Sequence, residues 1–511
     1  MEGVAERRGG APFFVYAMAT GAIAMLVPAF HALTLEDFET ARIFFYGFIL
    51  FGMLTALIGV ATRGARPSAA PQGQLAGLLA AFLLLPVMLA VPFFVALGED
   101  SFLEAWFEMV AAFTTTGGTV YDNVGRLNPS LHLWRALVGW LGGLTVWVTA
   151  AAILAPMNLG GYEVQAAAGV DGGAGRLSRF ARHSLPAERL ARQAAALAPV
   201  YAGLTGALWV GLLIAGEVPL VAICHAMSVM ATSGISPLTS GTTFTGSGFF
   251  GELLMALFMI FAISRHAFAR RPVIERSRSL VHDPEVAMAM SLVIIVPGLL
   301  FLRHFVAASG DGLHTGGILA GIGALWGSIF TVLSFLTTTG FESAEWRLAQ
   351  DWSGLHTPGL VLVGLALVGG GVATTAGGVK LLRIYALYKH GVRELARLVH
   401  PSSVGGSGHT ARRIRREGAY ISWLFFMLFA LSLTTVMLLL SLYGVQFETA
   451  MILAVAALSN CGPIVQIAGE YPISFEGLRP EAKTILAFTM VLGRLETLAL
   501  IALLNPAAWR R

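Results

Sequence analysis

The chain has 511 residues, of which 56% are hydrophobic and 12% charged, with a mean hydropathy of +0.74. Soluble domains carry about twice that charged fraction, ~25%, so an ordinary soluble protein is excluded and a lipid bilayer must surround several apolar segments. Two cysteines, Cys224 and Cys461, leave no disulfide framework and no cysteine metal cluster, and the formal net charge of +4 is unevenly spread along the chain.

Residues 1–12 carry Arg7 and Arg8, and no small-residue cleavage site follows a short apolar core. The first apolar run therefore reads as a retained span and not a cleaved leader. Runs over 11–33 and 41–61 are each long enough to cross, since about 20 residues cover the hydrocarbon core. Between them Leu35-Glu36-Asp37-Phe38-Glu39 is acidic, and Arg63 and Arg66 follow. Positive residues favour the cytoplasm, so the start and the loop near residue 65 are expected inside.

Beyond residue 70 one pattern recurs four times: a long apolar segment, a short amphipathic segment, a Thr/Gly phrase, and a second apolar segment. The phrases are Thr114-Thr115-Thr116-Gly117-Gly118-Thr119, Ala231-Thr232-Ser233-Gly234-Ile235-Ser236, Thr337-Thr338-Thr339-Gly340-Phe341-Glu342 and Ser459-Asn460-Cys461-Gly462-Pro463. Their glycines recur at intervals of roughly 110 residues, far longer than a solenoid repeat. The order of segments is that of a potassium-channel pore unit, in which a short helix dips into the membrane and the chain returns as extended backbone. Irregular backbone at membrane depth is tolerated only where protein buries it or it lines a watery cavity, and four copies around an axis supply that cavity. Rings of inward carbonyls in such turns replace the hydration shell of a bare cation. A single Thr/Gly phrase is an ordinary turn; four in equivalent positions point to a selectivity filter.

The expected fold is therefore an all-α polytopic membrane protein. It has two extra N-terminal transmembrane helices (1–70) and four pseudo-symmetric helix–pore-loop–helix units around one central pore. Unit one spans 71–160. Unit two, with a cytoplasmic loop, spans 161–283, unit three 284–400, and a basic linker with unit four 401–511. In unit one the outer helix is expected near 74–97, the pore segment near 102–113 and the inner helix near 131–157. The other units are expected at 195–215, 219–230 and 249–263; at 286–306, 321–336 and 359–388; and at 420–443, 447–458 and 482–504. Arginines at 176, 179, 182, 189 and 192, at 265, 270, 271, 276 and 278, and at 510 and 511 place each exit, and both termini, in the cytoplasm. Glu99, Asp100 and Glu104 lie around the start of the first pore segment, on the other side.

Unit three breaks the pattern. Gly369-Gly370-Gly371-Val372-Ala373-Thr374-Thr375-Ala376-Gly377-Gly378-Val379-Lys380 interrupts an apolar helix, and each glycine costs up to ~1 kcal/mol of helix relative to alanine. It reads as an intramembrane gating loop, 369–380, beneath the filter. A phosphate-binding loop is excluded because the GK[ST] ending and a preceding strand are missing. Lys380, at its cytoplasmic end, is expected to snorkel to the interface. The stretch that follows, with Lys389, Arg393, Arg397, Arg412, Arg413, Arg415 and Arg416, is a topology-setting loop or a docking surface for a regulatory partner or anionic lipid. Arg494 stands inside an apolar span, at a cost of at least ~2.5 kcal/mol, and must face protein or water. It either pairs with a carboxylate such as Glu496 or sits below the filter as a fixed positive charge among loop carbonyls. Glu342, just outside the third phrase, is either a solvated carboxylate or a concentrator of cations at the mouth.

The phrases Leu-Thr-Thr-Thr-Gly-Phe at 336–341, Cys224-His225-Ala226-Met227-Ser228, Gly-Gly-Val-Lys at 377–380 and Leu492-Gly493-Arg494-Leu495-Glu496 give the chain a resemblance, over nearly its full length, to the membrane subunit of the Trk/Ktr/HKT superfamily of potassium transporters. The extra N-terminal pair resembles the Trk branch. The resemblance implies potassium uptake through the bacterial inner membrane by a homodimer, each chain with its own pore, under a cytosolic ring of nucleotide-binding regulatory subunits. It also implies the potassium-lining residues: Thr115, Thr116 and Gly117; Thr232, Ser233 and Gly234; Thr338, Thr339 and Gly340; Asn460, Cys461 and Gly462. The gate would be formed by Gly369, Gly370, Gly371, Thr374, Thr375, Gly377, Gly378 and Lys380 with Arg494. Four glycines resemble the potassium-preferring form. Cys461 and Glu342 depart from the family pattern. Neither enzymatic chemistry, an organic cofactor nor nucleic acid is expected. The rival reading is a sodium- or proton-coupled secondary transporter of a cation or small solute, since such folds also use broken helices; four like-oriented units and few embedded carboxylates favour a pore.

Overall fold

In the computed structural model of the chain the described residues are 13–62, 71–98, 101–157, 186–238, 246–264, 283–307, 318–355, 357–400 and 409–496. Much of the basic chain expected between units, at 63–70, 158–185 and 265–282, lies outside them, as do the Ser/Gly stretch 401–408, Glu99, Asp100 and 497–511. Among the described residues the regular structure is helical.

The first span, expected over 11–33, crosses as one segment from Phe13 to Thr34, interrupted at Met25 into α1 (Phe13–Ala24) and α2 (Leu26–Thr34). Pro28 has no N–H to give the Ala24 carbonyl, and its ring crowds the preceding turn. The chain tightens there instead, with Met25 N donating to Ala22 O at 3.2 Å. α3 (Phe38–Ala61) is capped by Asp37, whose carboxylate accepts from Thr40 N at 3.1 Å. Its outer face leaves Met53, Leu57 and Val60 exposed, as a lipid-facing helix should.

Unit one comprises α4 (Pro71–Leu97), α5 (Phe102–Phe113) and α6 (Pro129–Thr149); unit two α7 (Pro186–Ile214), α8 (Pro219–Ala231) and α9 (Gly248–Met259). Unit three is α10 (Pro284–Ala307), α11 (Ile318–Leu336), α12 (Trp346–Ser353), α13 (Gly359–Val368) and α14 (Leu381–Val399); unit four is α15 (His409–Leu442), α16 (Phe447–Leu458) and α17 (Pro480–Leu495). Prolines start α6, α8 and α17 within the first turn, where a missing N–H costs nothing.

In every unit the outer helix packs on the pore helix and the pore helix on the inner helix. Each inner helix then reaches the next unit's pore helix: α6 on α8, α9 on α11, α13 on α16, and α17 back on α5. The last contact closes the ring. It is reinforced by Lys483 of α17 and Glu104 of α5 at 2.5 Å.

Eight described helical segments are long and apolar enough to cross a membrane, and α11, a pore helix by position, is one of them. Length and hydropathy therefore do not separate span from pore helix in unit three. The inner helices depart most from expectation. α6 is not uniform to residue 157 but passes into a π-turn at Ala150–Leu154 and a 3-10 turn at Ala155–Met157. α13 ends at Val368 where the glycines begin, and α12, a short amphipathic helix after the third phrase, was not expected.

Glu108 on α5 and Arg135 on α6 form an ion pair of 2.5 Å with both side chains buried. Removing one member strands the other charge, which typically costs ~3–5 kcal/mol. Arg135→Ala should therefore lower the unfolding temperature in detergent, with Glu108→Gln plus Arg135→Met recovering most of the loss. A single variant unfolding at the wild-type temperature would contradict this.

Candidate functional site

The four phrases share one backbone solution. In unit one Thr115 N donates to Ala112 O and Thr116 N to Ala111 O, both at 2.8 Å. This is the paired bonding by which helices close on a left-handed residue. The pair recurs as Thr232 N to Val229 O (3.1 Å) with Ser233 N to Ser228 O (3.0 Å). In unit three it is Thr338 N to Phe335 O (3.1 Å) with Thr339 N to Ser334 O (2.8 Å), and in unit four Asn460 N to Ala457 O (3.4 Å) with Cys461 N to Ala456 O (2.9 Å). The closing residues Thr115, Thr232, Thr338 and Asn460 have φ of 55°, 52°, 54° and 51°. Glycine usually sits there; a threonine costs roughly 1–2 kcal/mol, so packing holds three turns in a strained state. Asparagine tolerates the conformation best.

In units one and three the outer two threonine hydroxyls of each phrase bond to one another and the first of them to its pore helix. Thr114 Oγ1 donates to Val110 O (2.7 Å) and shares a bond with Thr116 Oγ1 (2.8 Å), and Thr337 Oγ1 does the same with Leu333 O (2.9 Å) and Thr339 Oγ1 (2.9 Å). Backbone carbonyls are left as the groups free to face the axis.

The glycines mark where the turns meet. A Cβ added to Gly117 would collide with the Ser233 carbonyl, one on Gly234 with the Thr339 carbonyl and Pro463, one on Gly340 would stand 2.8 Å from Pro463 Cγ, and one on Gly462 would collide with Gly118 and the Thr116 carbonyl. Unit one thus abuts two, two abuts three, three abuts four, and four abuts one. Gly462 N also donates to Thr116 O at 2.6 Å. All four glycines line a single cavity of about 360 Å³, with Asp122, Arg135 and Glu342 on its wall. Burial pushes the half-buried Glu342 carboxyl up to about 7 against the opposing pull of Arg347.

On the opposite side of the turns lie Arg494 and the glycine-rich loop. Arg494 is buried; Nε donates to Thr114 O at 2.7 Å, one terminal nitrogen to Thr375 O at 2.5 Å and the other to Thr115 Oγ1. It therefore joins the base of the first turn to the loop. Glu496, two residues on, pairs instead with Arg383 at 2.7 Å, whose guanidinium lies 3.6 Å from the Phe425 ring centroid. The loop is packed against the third turn as well, with Gly377 N donating to Thr338 Oγ1 at 2.8 Å. Gly371 N reaches Ala262 O of unit two at 3.0 Å, and Thr374 Oγ1 donates to Gly371 O at 2.7 Å. Gly369, Gly370, Gly377 and Gly378 are buried with it. Lys380 does not snorkel. Its side chain is buried and Nζ folds back onto Ala376 O, because the loop supplies carbonyls nearer than the interface.

Sequence reasoning missed the ties between pore helix and returning chain. Glu108 accepts from Val120 N at 3.1 Å, Thr331 Oγ1 from Ser343 N at 3.2 Å, and His225 Nε2 shares a bond of 2.9 Å with Ser236 Oγ. These residues, and Leu453 in unit four, precede their glycines by the same interval; aligning the units on the glycines would have exposed the position. Glu252 was also missed. It accepts from Ala344 N (2.7 Å), Ser343 Oγ (2.9 Å) and Trp326 Nε1 (2.6 Å), binding the inner helix of unit two to the third turn's exit.

The chain is similar to known proteins. A family model described as TrkH, cation transport protein, matches residues 208–508. The chain is 31% identical over 431 residues to the Trk system potassium uptake protein TrkH of Vibrio parahaemolyticus, covering 82% of each chain. It is 26% identical over 504 residues to the Trk system potassium uptake protein TrkG of Escherichia coli K12, covering 96% of each. The crystal structure of the potassium transporter TrkH from Vibrio parahaemolyticus superposes with a TM-score of 0.80 at 26% identity, covering 98% of both chains. Four filter-like turns in a closed ring, in a chain this similar to these relatives, lead to one assignment: the protein is a multi-pass membrane protein of the TrkH family of cation transporters.

Proposed function

We propose that this chain carries potassium inward across a bacterial cytoplasmic membrane. The ion sheds its water into a ring of backbone carbonyls from residues 115–117, 232–234, 338–340 and 460–462. The observation that carries the reading is the meeting of all four glycines on one cavity. Their neighbours' carbonyls lie where a side chain would otherwise intrude. Carbonyl dipoles compensate a cation's lost hydration without a fixed countercharge that would trap it.

In this reading the loop 369–380 is the plug of the pathway and Arg494 its electrostatic partner. The guanidinium supplies a positive charge directly beneath the turns, and its bonds to Thr114 O and Thr375 O tie it to both. Flux then requires the loop and the charge to move off the axis together. Lys380, folded back on the same loop, adds a second positive charge to the closed arrangement.

The functional assembly is proposed to be a homodimer with a cytosolic nucleotide-binding regulatory partner. Both termini and the basic linkers are assigned to the cytoplasmic side. Support comes from α14, which leaves the plug directly and exposes Tyr388, Leu395 and Leu398 beside Lys389, Arg393 and Arg397. A partner bound there would pull on the element that carries the gate.

Expression in a strain lacking its own potassium uptake systems should restore growth at low potassium. A well-expressed protein that leaves growth dependent on high potassium would contradict the proposal. Glu342 adds a pH dependence at the cavity mouth. As external pH falls through about 7, its carboxylate gains a proton and the local attraction for cations is lost. Uptake at limiting potassium should drop roughly two- to threefold, and Glu342→Gln should start at the lower level and show no step. The same step in both proteins would assign the pH dependence elsewhere.

A further inference from the structure

The Val372 corner of the glycine-rich loop is held by one carboxylate. Glu285, in the first turn of α10, is buried with 2% exposure, and its Oε1 accepts from Val372 N at 2.8 Å. The neighbouring loop amide, Gly371 N, donates to Ala262 O at 3.0 Å. Ala262 belongs to the 3-10 turn that ends the inner helix of unit two. The same junction is bound a second time, by Ser264 Oγ donating to Asp283 Oδ2 at 2.5 Å, while Asp283 Oδ1 accepts from Glu285 N at 3.0 Å. Two consecutive loop amides are thus fixed to a rigid platform made by the end of one unit and the start of the next. None of these contacts involves the filter or Arg494.

The arrangement has a mechanical consequence. Arg494 and Thr338 bind the loop from above, at Thr375 and Gly377; Glu285 and Ala262 bind it from the side, at Val372 and Gly371. A loop with three glycines at one end and two near the other has little stiffness of its own, so its position is set by these fastenings. Hydrogen bonds to charged acceptors are the strong ones, which makes Glu285 the dominant lateral one. Val372 is itself fully buried, so swinging the loop clear requires its amide to leave the carboxylate.

We propose that Glu285 is a positioning residue of the gate: its carboxylate holds the Val372 corner of the loop in the closed arrangement and must release it when the pathway opens. The inference rests on reading the loop as the plug. Glu285→Ala removes the acceptor, Glu285→Asp withdraws it by one methylene, and Glu285→Gln keeps an oxygen in place. Losing a hydrogen bond to a charged group shifts a two-state balance by about tenfold or more.

The test compares basal potassium flux into liposomes from wild type, the three variants and a deletion of residues 369–378, each first checked for monodispersity. Amide hydrogen exchange over 371–373 is measured in parallel. Expected are flux raised about tenfold by Glu285→Ala, clearly raised by Glu285→Asp and raised least by Glu285→Gln, which keeps the acceptor but not its charge, with exchange at Val372 quickening in the same order. The potassium-to-sodium ratio should stay at the wild-type value, which a general loosening of the fold would not preserve. If the deletion raises flux while Glu285→Ala and Glu285→Asp leave flux and exchange unchanged, the tether is overturned and the plug stands. If the deletion leaves flux unchanged, the plug reading fails, and the role proposed for Glu285 in gating falls with it, whatever the exchange at Val372. Should Glu285→Ala misfold, Glu285→Asp against Glu285→Gln decides the matter alone.

Discussion

The constraint on which the rest depends is the close approach of four backbone turns at one axis. Each turn closes its pore helix on a left-handed residue and then presents a glycine to its neighbour. Neither feature is favourable locally: a left-handed threonine is strained, and a glycine in a buried turn surrenders conformational freedom. They persist because the surrounding helices over-determine them. Each inner helix braces the next unit's pore helix, and buried carboxylates at Glu108 and Glu252 pull the returning chain against its own pore helix or the neighbouring inner helix.

That bracing explains how so apolar a protein tolerates buried charge. Glu108 faces Arg135, Glu496 faces Arg383, Arg494 is surrounded by oxygens of the first turn and the loop, and Glu285 accepts from the loop backbone. Glu285, Arg383, Arg494 and Glu496 sit at or beside helix ends, and Glu108, in mid-helix, reaches the returning chain at Val120 N. These buried charges are thus satisfied by one another or by nearby irregular backbone, without water.

Much of the arrangement is legible in the sequence, and for identifiable reasons. Thr/Gly phrases recur because the same turn is built four times, and glycine repeats where neighbouring backbones touch. The break at 369–380 is legible because five glycines cannot remain helical in company with three threonine or lysine side chains. What is not legible is which distant partner a buried charge selects. Glu496 is two residues from Arg494, so a local pair looks natural; but the helix ends at Leu495 and Glu496 turns away at φ 62° to meet Arg383, 113 residues distant. Lys380 likewise folds inward instead of reaching for the interface, and Glu285 gives no hint in sequence that Val372 lies against it. Such choices follow from tertiary placement, which periodicity does not encode.

If the ring of carbonyls is what distinguishes one cation from another, disturbing it at a single glycine must change discrimination. Gly340, at φ 86° with Pro463 of the next unit 2.8 Å from the position of a Cβ, is the sharpest place to press. The measurement is the ratio of potassium to sodium flux in liposomes for wild type and Gly340→Ser. The account predicts a clear fall in that ratio for a correctly folded variant. An unchanged ratio would mean that the third turn does not contact the permeating ion.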